Sequence, residues 1–219
     1  MARPRNADGQ RTRQAILDAA LDLFADKGFF GTSLRDVARA VGVRESALYN
    51  YFPGKDALFD ALLTAQQHSK VERLAPLADG PITDGRALLL QLASSTLSSF
   101  VEPREQKLFR ILMSDGLRLA KVGRLNLPER MSPGREQLHD IMRRLIREGW
   151  LRRADVNVLG LAFVSPLIVW RQAHAINADL PIIRNPRAFA RLHVDQFLLG
   201  AGAVTRRPAS RRAVSRRRS

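Results

Sequence analysis

TSLRDVARAVGVRESALYNYF, residues 32–52, reads as two short helices set around one glycine. Ser33 followed three positions later by Asp36 is the pattern of a capping box, which satisfies free amides at a helix start. The segment SLRDVARAV carries an apolar face, Gly42 breaks it, and a third helix is expected from about Arg44 to Tyr51. Ala38, then Gly42 four residues later, then Val43 and Leu48, is the spacing of a helix-turn-helix. A small residue lets the helices approach, the glycine turns the chain, and the apolar residues lock the pair at a steep angle. Such a unit presents its second helix to the major groove of DNA. Any helical hairpin can show a glycine between short helices, so the surface chemistry matters. Tyr49, Tyr51 and Lys55 supply donors that can reach phosphates, as can Thr32 and the amides opening the second helix.

Working outward, the periodicity is helical nearly throughout, with no sustained alternation of apolar and polar residues. Ile16, Ala20, Leu23 and Phe24 form the stripe of a first helix, and Gly28 in DKGFFGT is expected to end it in the left-handed cap conformation. After the turn FPGKD, a fourth helix is expected from Lys55 to about Leu74, stopped by Pro76; twenty residues span about 30 Å. Further helices are expected over roughly 84–101 and 104–119, followed by a loop through 120–134. Ser132 before Pro133 reads as the next helix start, with Leu138, Ile141, Met142, Leu145 and Ile146 on one face and Gly149 closing it. Asp155 is expected to cap a helix running to about Asn177, and Asn185-Pro186 to open a last one ending near Gly200. The expected fold class is all-α.

The 219 residues carry a net charge of +15, and 45% of them are hydrophobic, enough to bury a core. The charge is uneven: residues 206–219 hold seven arginines and no acid, and read as a disordered, low-complexity tail. A basic chain favours polyanions such as nucleic acid or an anionic membrane. The absence of cysteine excludes disulfides, zinc-thiolate sites and cysteine nucleophiles, and fits a cytoplasmic protein. The opening residues lack the apolar core of a secretory signal. The apolar run at 156–170 has fifteen residues, short of the roughly 20 a membrane span needs, and reads as a buried helix of a soluble protein.

From Arg13 to Leu63 the chain resembles the TetR family of transcriptional regulators. The first helix ending in an F…G turn, the T before DVA, then GV, LYNYF and KDALF all stand in register. The resemblance implies a three-helix DNA-binding head joined by a long fourth helix to a helical effector-binding and dimerisation body. The corresponding spans are a flexible basic arm over 1–9, the head over 10–55, the body over 56–203 and the tail over 204–219. It implies that Tyr49 and Lys55 contact the DNA backbone, with Tyr51 either a contact or packing beneath the helix. Leu48 and Phe52 fall to the core. Arg44, Glu45, Ser46 and Asn50 are the candidates to face bases, since arginine can make paired bonds to guanine and asparagine to adenine; Thr32, on the phosphate side, and Ser33 complete the DNA-binding residues. Two positions depart from the family pattern: many members carry a capping Ser or Thr at Arg44 and a His at Asn50, so this chain's operator is expected to differ from theirs.

The implied partners are double-stranded DNA with a pseudo-palindromic operator, a small-molecule effector and a second copy of the chain, with no membrane. The last two helices are expected to form a four-helix dimer interface, with residues 156–170 covered by the partner. Phe100, Phe109, Met113, Met142, Phe163 and Trp170 are candidates to line an effector pocket, although their helical spacing equally suits a core. His68, His139, His174 and His193 show no metal-binding spacing, so no metal or cofactor is expected. No G-x-S-x-G, phosphate-loop or dinucleotide pattern points to an enzyme. The expected function is a ligand-responsive regulator, a repressor rather than an activator; the alternative is a helical adaptor whose head no longer binds DNA.

Overall fold

The computed structural model describes residues 5–78 and 81–203, and those residues form ten helices: α1 (Arg5–Gly31), α2 (Leu34–Val41), α3 (Glu45–Tyr49), α4 (Lys55–Ala78), α5 (Gly85–Phe100), α6 (Pro103–Lys121), α7 (Leu127–Arg147), α8 (Val156–Ile176), α9 (Pro181–Arg184) and α10 (Pro186–Ala201). The fold is all-α. One isolated bridge, Leu151 with Gly202, ties the α7 exit to the end of α10. The arginine-rich tail at 204–219 lies outside the described residues, as do residues 1–4 of the N-terminal arm; residues 5–9, expected as part of a flexible arm, are instead helical, since α1 begins at Arg5.

The apolar residues separate into two cores. The body core joins α5, α7, α8 and α10 through residues such as Leu89, Leu97, Met142, Leu145, Phe163, Trp170 and Phe197. The head core joins α1, α2, α3 and the start of α4 around the touching rings of Phe24, Phe29 and Phe59. It also takes in Leu108, Ile111 and Leu119 of α6 and Leu125 after it. So α6 is body by sequence and head by packing. Charge follows the same seam: Asp18, Asp22 and Asp26, at four-residue intervals on α1, face Arg104, Lys107 and Arg110 on α6. Asp115 of α6 accepts the Phe29 N–H at 2.7 Å, and the Arg118 guanidinium lies 3.9 Å from the centre of the Phe30 ring.

Gly28 shows why the chain turns there. Its φ is +75° but its ψ is 162°, so it does not take the expected left-handed cap; it occupies an extended region open almost only to glycine. A Cβ at Gly28 would also sit 2.8 Å from the Asp115 carboxylate. Three helix boundaries differ from expectation. Helix α4 runs past Pro76 to Ala78, because a proline within the last turn removes one hydrogen bond that fraying would lose anyway. Helix α7 starts at Leu127, not at Ser132: Asn126 caps it by accepting the Glu129 N–H, a proline occupies the first turn, and the Ser132 hydroxyl instead bonds Glu136. A single extra turn, α9, fills what read as a connection.

Helix α8 buries only one side. Leu159, Phe163, Leu167 and Trp170 face the body core, while Val158, Leu161, Val169 and Ile176 remain exposed, beside exposed Leu192 and Leu199 on α10. By length and composition α8 alone among the described helices could cross a membrane. It carries core on one face and an apolar surface on the other.

Candidate nucleic-acid interface

The helix-turn-helix forms as the sequence dictates. Ser33 caps α2, its hydroxyl accepting the Asp36 N–H at 3.1 Å while the Ser33 N–H donates to the Asp36 carboxylate at 3.0 Å. The bonds from Ser33 hold the Asp36 carboxyl below its usual range, so it stays ionised at the positive end of α2. Gly42 closes α2 at φ 76°, ψ 27°, left-handed as the turn requires. Val37, Ala38, Leu48 and Phe52 are buried, fixing α3 against α2 and α1. Arg44 stands at the N-cap of α3 without any side-chain cap bond, so the cap that Ser or Thr would supply is absent and the guanidinium is free to turn outward.

Arg44, Glu45, Ser46, Tyr49 and Asn50 are all exposed, and none of their side chains makes a hydrogen bond to another described residue. Tyr49 is 51% exposed. Together they give the α3 segment an exposed polar surface, with donors at both ends and a carboxylate near the start. Tyr51 is half-buried and packs on the head core, which favours the packing role of the two open to it.

Two expected contacts sit differently. Thr32 is buried, and its hydroxyl points inward to the carbonyls of Leu23 and Gly28, closing the kink of α1. It is not available to a phosphate. Lys55 donates from Nζ to the carbonyls of Phe29 at 2.7 Å and Thr32 at 2.8 Å, and its ammonium lies 4.5 Å from the centre of the Phe29 ring. Burial pulls its pKa down, and nearby Arg124 adds to that. Lys55 therefore staples the α1–α2 corner to the start of α4, with one N–H left to point outward. Asp115, Arg118 and Arg124, which brace this corner from α6 and its exit, escaped sequence reasoning; they lie some 90 residues away and carry no local pattern.

The effector candidates do not converge on one cavity. Phe100, Met142, Phe163 and Trp170 are body core, Phe109 is half-buried, and Met113 is 61% exposed. None of the six lines either of two open grooves, one of about 570 Å³ between α4 and the α6–α7 connection, the other of about 400 Å³ between α5 and α10.

Comparison with known proteins agrees with this arrangement. Residues 16–62 match the family described as bacterial regulatory proteins, tetR family, and residues 87–198 match the C-terminal domain of AefR-like transcriptional repressors. The transcriptional regulator AcrR of Shigella flexneri is 34% identical over 116 residues, covering 51% of this chain and 53% of its own length. SrpR of Pseudomonas putida is 27% identical over 151 residues, covering 69% and 68%. The chain thus spans about half of the first of these relatives and just over two thirds of the second. Among solved structures, a TetR-family regulator from Mesorhizobium loti superposes with a TM-score of 0.71 at 21% identity, covering 92% of this chain and all of that one. NalD of Pseudomonas aeruginosa, the secondary repressor of the MexAB-OprM efflux pump, superposes at 0.68 with 23% identity, covering 91% and 100%. The capped helix-turn-helix, the outward face of α3 and both family matches place the chain in the TetR family of transcriptional regulators.

Proposed function

We propose that the chain acts as a homodimeric repressor that holds a pseudo-palindromic operator and releases it when a small molecule binds the body. The observation that carries this is the unpartnered polar face of the α3 segment, formed by Arg44, Glu45, Ser46, Tyr49 and Asn50 and set behind the capped helix α2. Such a face has the donors and acceptors that read base edges, while Tyr49 and the remaining N–H of Lys55 suit the phosphates on either side. The exposed apolar strip on α8 and α10 supports pairing with a second copy, which would set two α3 helices at half-sites about one helical turn, or a multiple of it, apart. A SmeT–triclosan complex shares the fold, with a TM-score of 0.70 at 18% identity, and motivates looking for a small-molecule effector here.

Release would travel by two routes. One is α4, joined to α3 through residues 50–54; the other is α6, whose packing and ion pairs lie directly on α1. The test is footprinting of purified protein on the intergenic DNA beside its own gene, at two salt concentrations. A protected palindrome that survives excess unrelated duplex is expected. Binding no stronger than to unrelated duplex overturns the reading.

A further inference from the structure

Between the two cores, α4, α6 and α8 meet at a cluster of charges. Glu105, at the start of α6, has a side chain only 5% exposed. Its Oε2 accepts from Gln66 Nε2 at 2.6 Å and from Arg171 Nη2 at 3.2 Å, with Lys70 Nζ 3.8 Å away. Arg171 also donates to the Glu105 carbonyl at 2.7 Å, and its guanidinium lies between two rings, 4.6 Å from the centre of Phe100 and 4.3 Å from that of Phe109. Its side chain is 11% exposed, yet its Nε–H, fully buried, meets no acceptor. The Lys70 side chain is 32% exposed, and its ammonium reaches no acceptor within hydrogen-bond distance among the described residues. One turn further along α4, Arg73 is matched by Glu102 at 3.7 Å. One buried carboxylate therefore serves two cations, and one positive charge is left over.

Burying a charge without a partner is costly, and an interior normally avoids it by pairing or by neutralising the group. Burial lowers the Lys70 pKa against the opposing pull of Glu105, in keeping with an under-compensated site. Beside the charges lies an apolar strip. Phe109, Met113 and Leu117 follow Glu105 along α6 at four-residue intervals, from half-buried to widely exposed.

We propose that Lys70 and Arg171 form the headgroup subsite for a monoanionic amphiphile, a carboxylate or sulfonate whose apolar part lies along Phe109 and Met113. This deepens the effector reading above and rests on it. The anion would share or replace Glu105 as the partner of both cations. Glu105 is what fastens the start of α6 to α4 and α8, so its displacement loosens a helix whose other face is packed into the head.

The test uses two fluorescent probes with the same ring system, 1-anilinonaphthalene-8-sulfonate and uncharged N-phenyl-1-naphthylamine, titrated into the full chain. The sulfonate should bind more tightly, by about tenfold, the worth of one buried charge-assisted hydrogen bond. Lys70→Gln should abolish that preference and leave the uncharged probe unaffected; Lys70 is exposed enough for the variant to fold, and circular dichroism checks this. Glu105→Gln should raise sulfonate affinity, because the competing carboxylate is gone. An equal affinity for both probes, or a sulfonate preference unchanged in a folded Lys70→Gln variant, overturns the proposal and leaves the cluster as a structural tie. Operator binding measured without any probe tests the regulator reading separately, so the two can fail independently.

Discussion

Lys55 asks one ammonium to do two jobs. Two of its N–H groups hold the carbonyls of Phe29 and Thr32, and only the third can reach DNA. Lys55→Met should therefore lower folding stability by about 1–3 kcal/mol as well as weakening DNA binding at every sequence alike. Tyr49→Phe should weaken binding without moving the urea midpoint, since that side chain touches no described partner through its hydroxyl. Asn50→Ala should instead change the preferred base at one position, by about 1–3 kcal/mol of discrimination. Urea melts combined with fluorescence anisotropy on specific and scrambled duplexes separate the three outcomes. A Lys55→Met protein as stable as the parent would show that the staple contributes nothing. His193 gives a second test at this scale. It is buried with its Nε2 2.8 Å from the Phe163 carbonyl, and burial lowers its pKa below the usual value, the carbonyl opposing only in part. The unfolded chain then takes up the proton first as pH falls, so stability present above about pH 6.5 should decline below it. His193→Gln should lose less of its urea midpoint between pH 7.5 and 5.5 than the parent does.

Among the elements, α1 and α6 form the tightest partnership that crosses the chain's apparent division. Each of the three facing ion pairs is exposed and is expected to contribute no more than about 1 kcal/mol, screened by salt. Replacing Asp18, Asp22 and Asp26 together by Asn should therefore barely change stability at 1 M salt, but lower the thermal midpoint at low salt. Gly28→Ala should do much more, because it combines a backbone region closed to alanine with a collision at Asp115. A thermal melt across a salt series distinguishes them: the triple variant's loss depends on salt and the glycine variant's does not. Sequence alone revealed most of the helices, since Ser33, Gly42, Asp155, Gly149 and Asn185 punctuate the chain by local chemistry. It revealed the outward face of α3 for the same reason. It misplaced the start of α7 because a proline can be carried inside a helix as well as open one, and Ser132-Pro133 looks alike in both cases. It could not see that Thr32 and Lys55 spend their donors on carbonyls: the Thr32 acceptors, Leu23 and Gly28, depend on the kink of α1 at Gly28, and those of Lys55 on the meeting of the α1–α2 corner with α4.

At the scale of the molecule, the proposed pairing of two copies turns on the uncovered strip of α8. Leu161→Asp and Val169→Asp together should leave the protomer folded, since both side chains are exposed in the single chain, while shifting it to monomer. Sedimentation should report the change in mass, and operator affinity should fall steeply because two linked heads bind far better than one. A folded double variant that still sediments as a dimer would place the pairing surface elsewhere. The seating of α6 in the head core bears on how such proteins can be recombined. A hybrid joined after the helix-turn-helix, with a relative's body grafted at the start of α4, would receive a foreign α6 and lose Leu108, Ile111 and Leu119 from beneath its rings. The portable unit of this protein is discontinuous: residues 5–63 together with a helix that arrives forty residues later. Exchanges that respect the linear order alone would split one core between two parents.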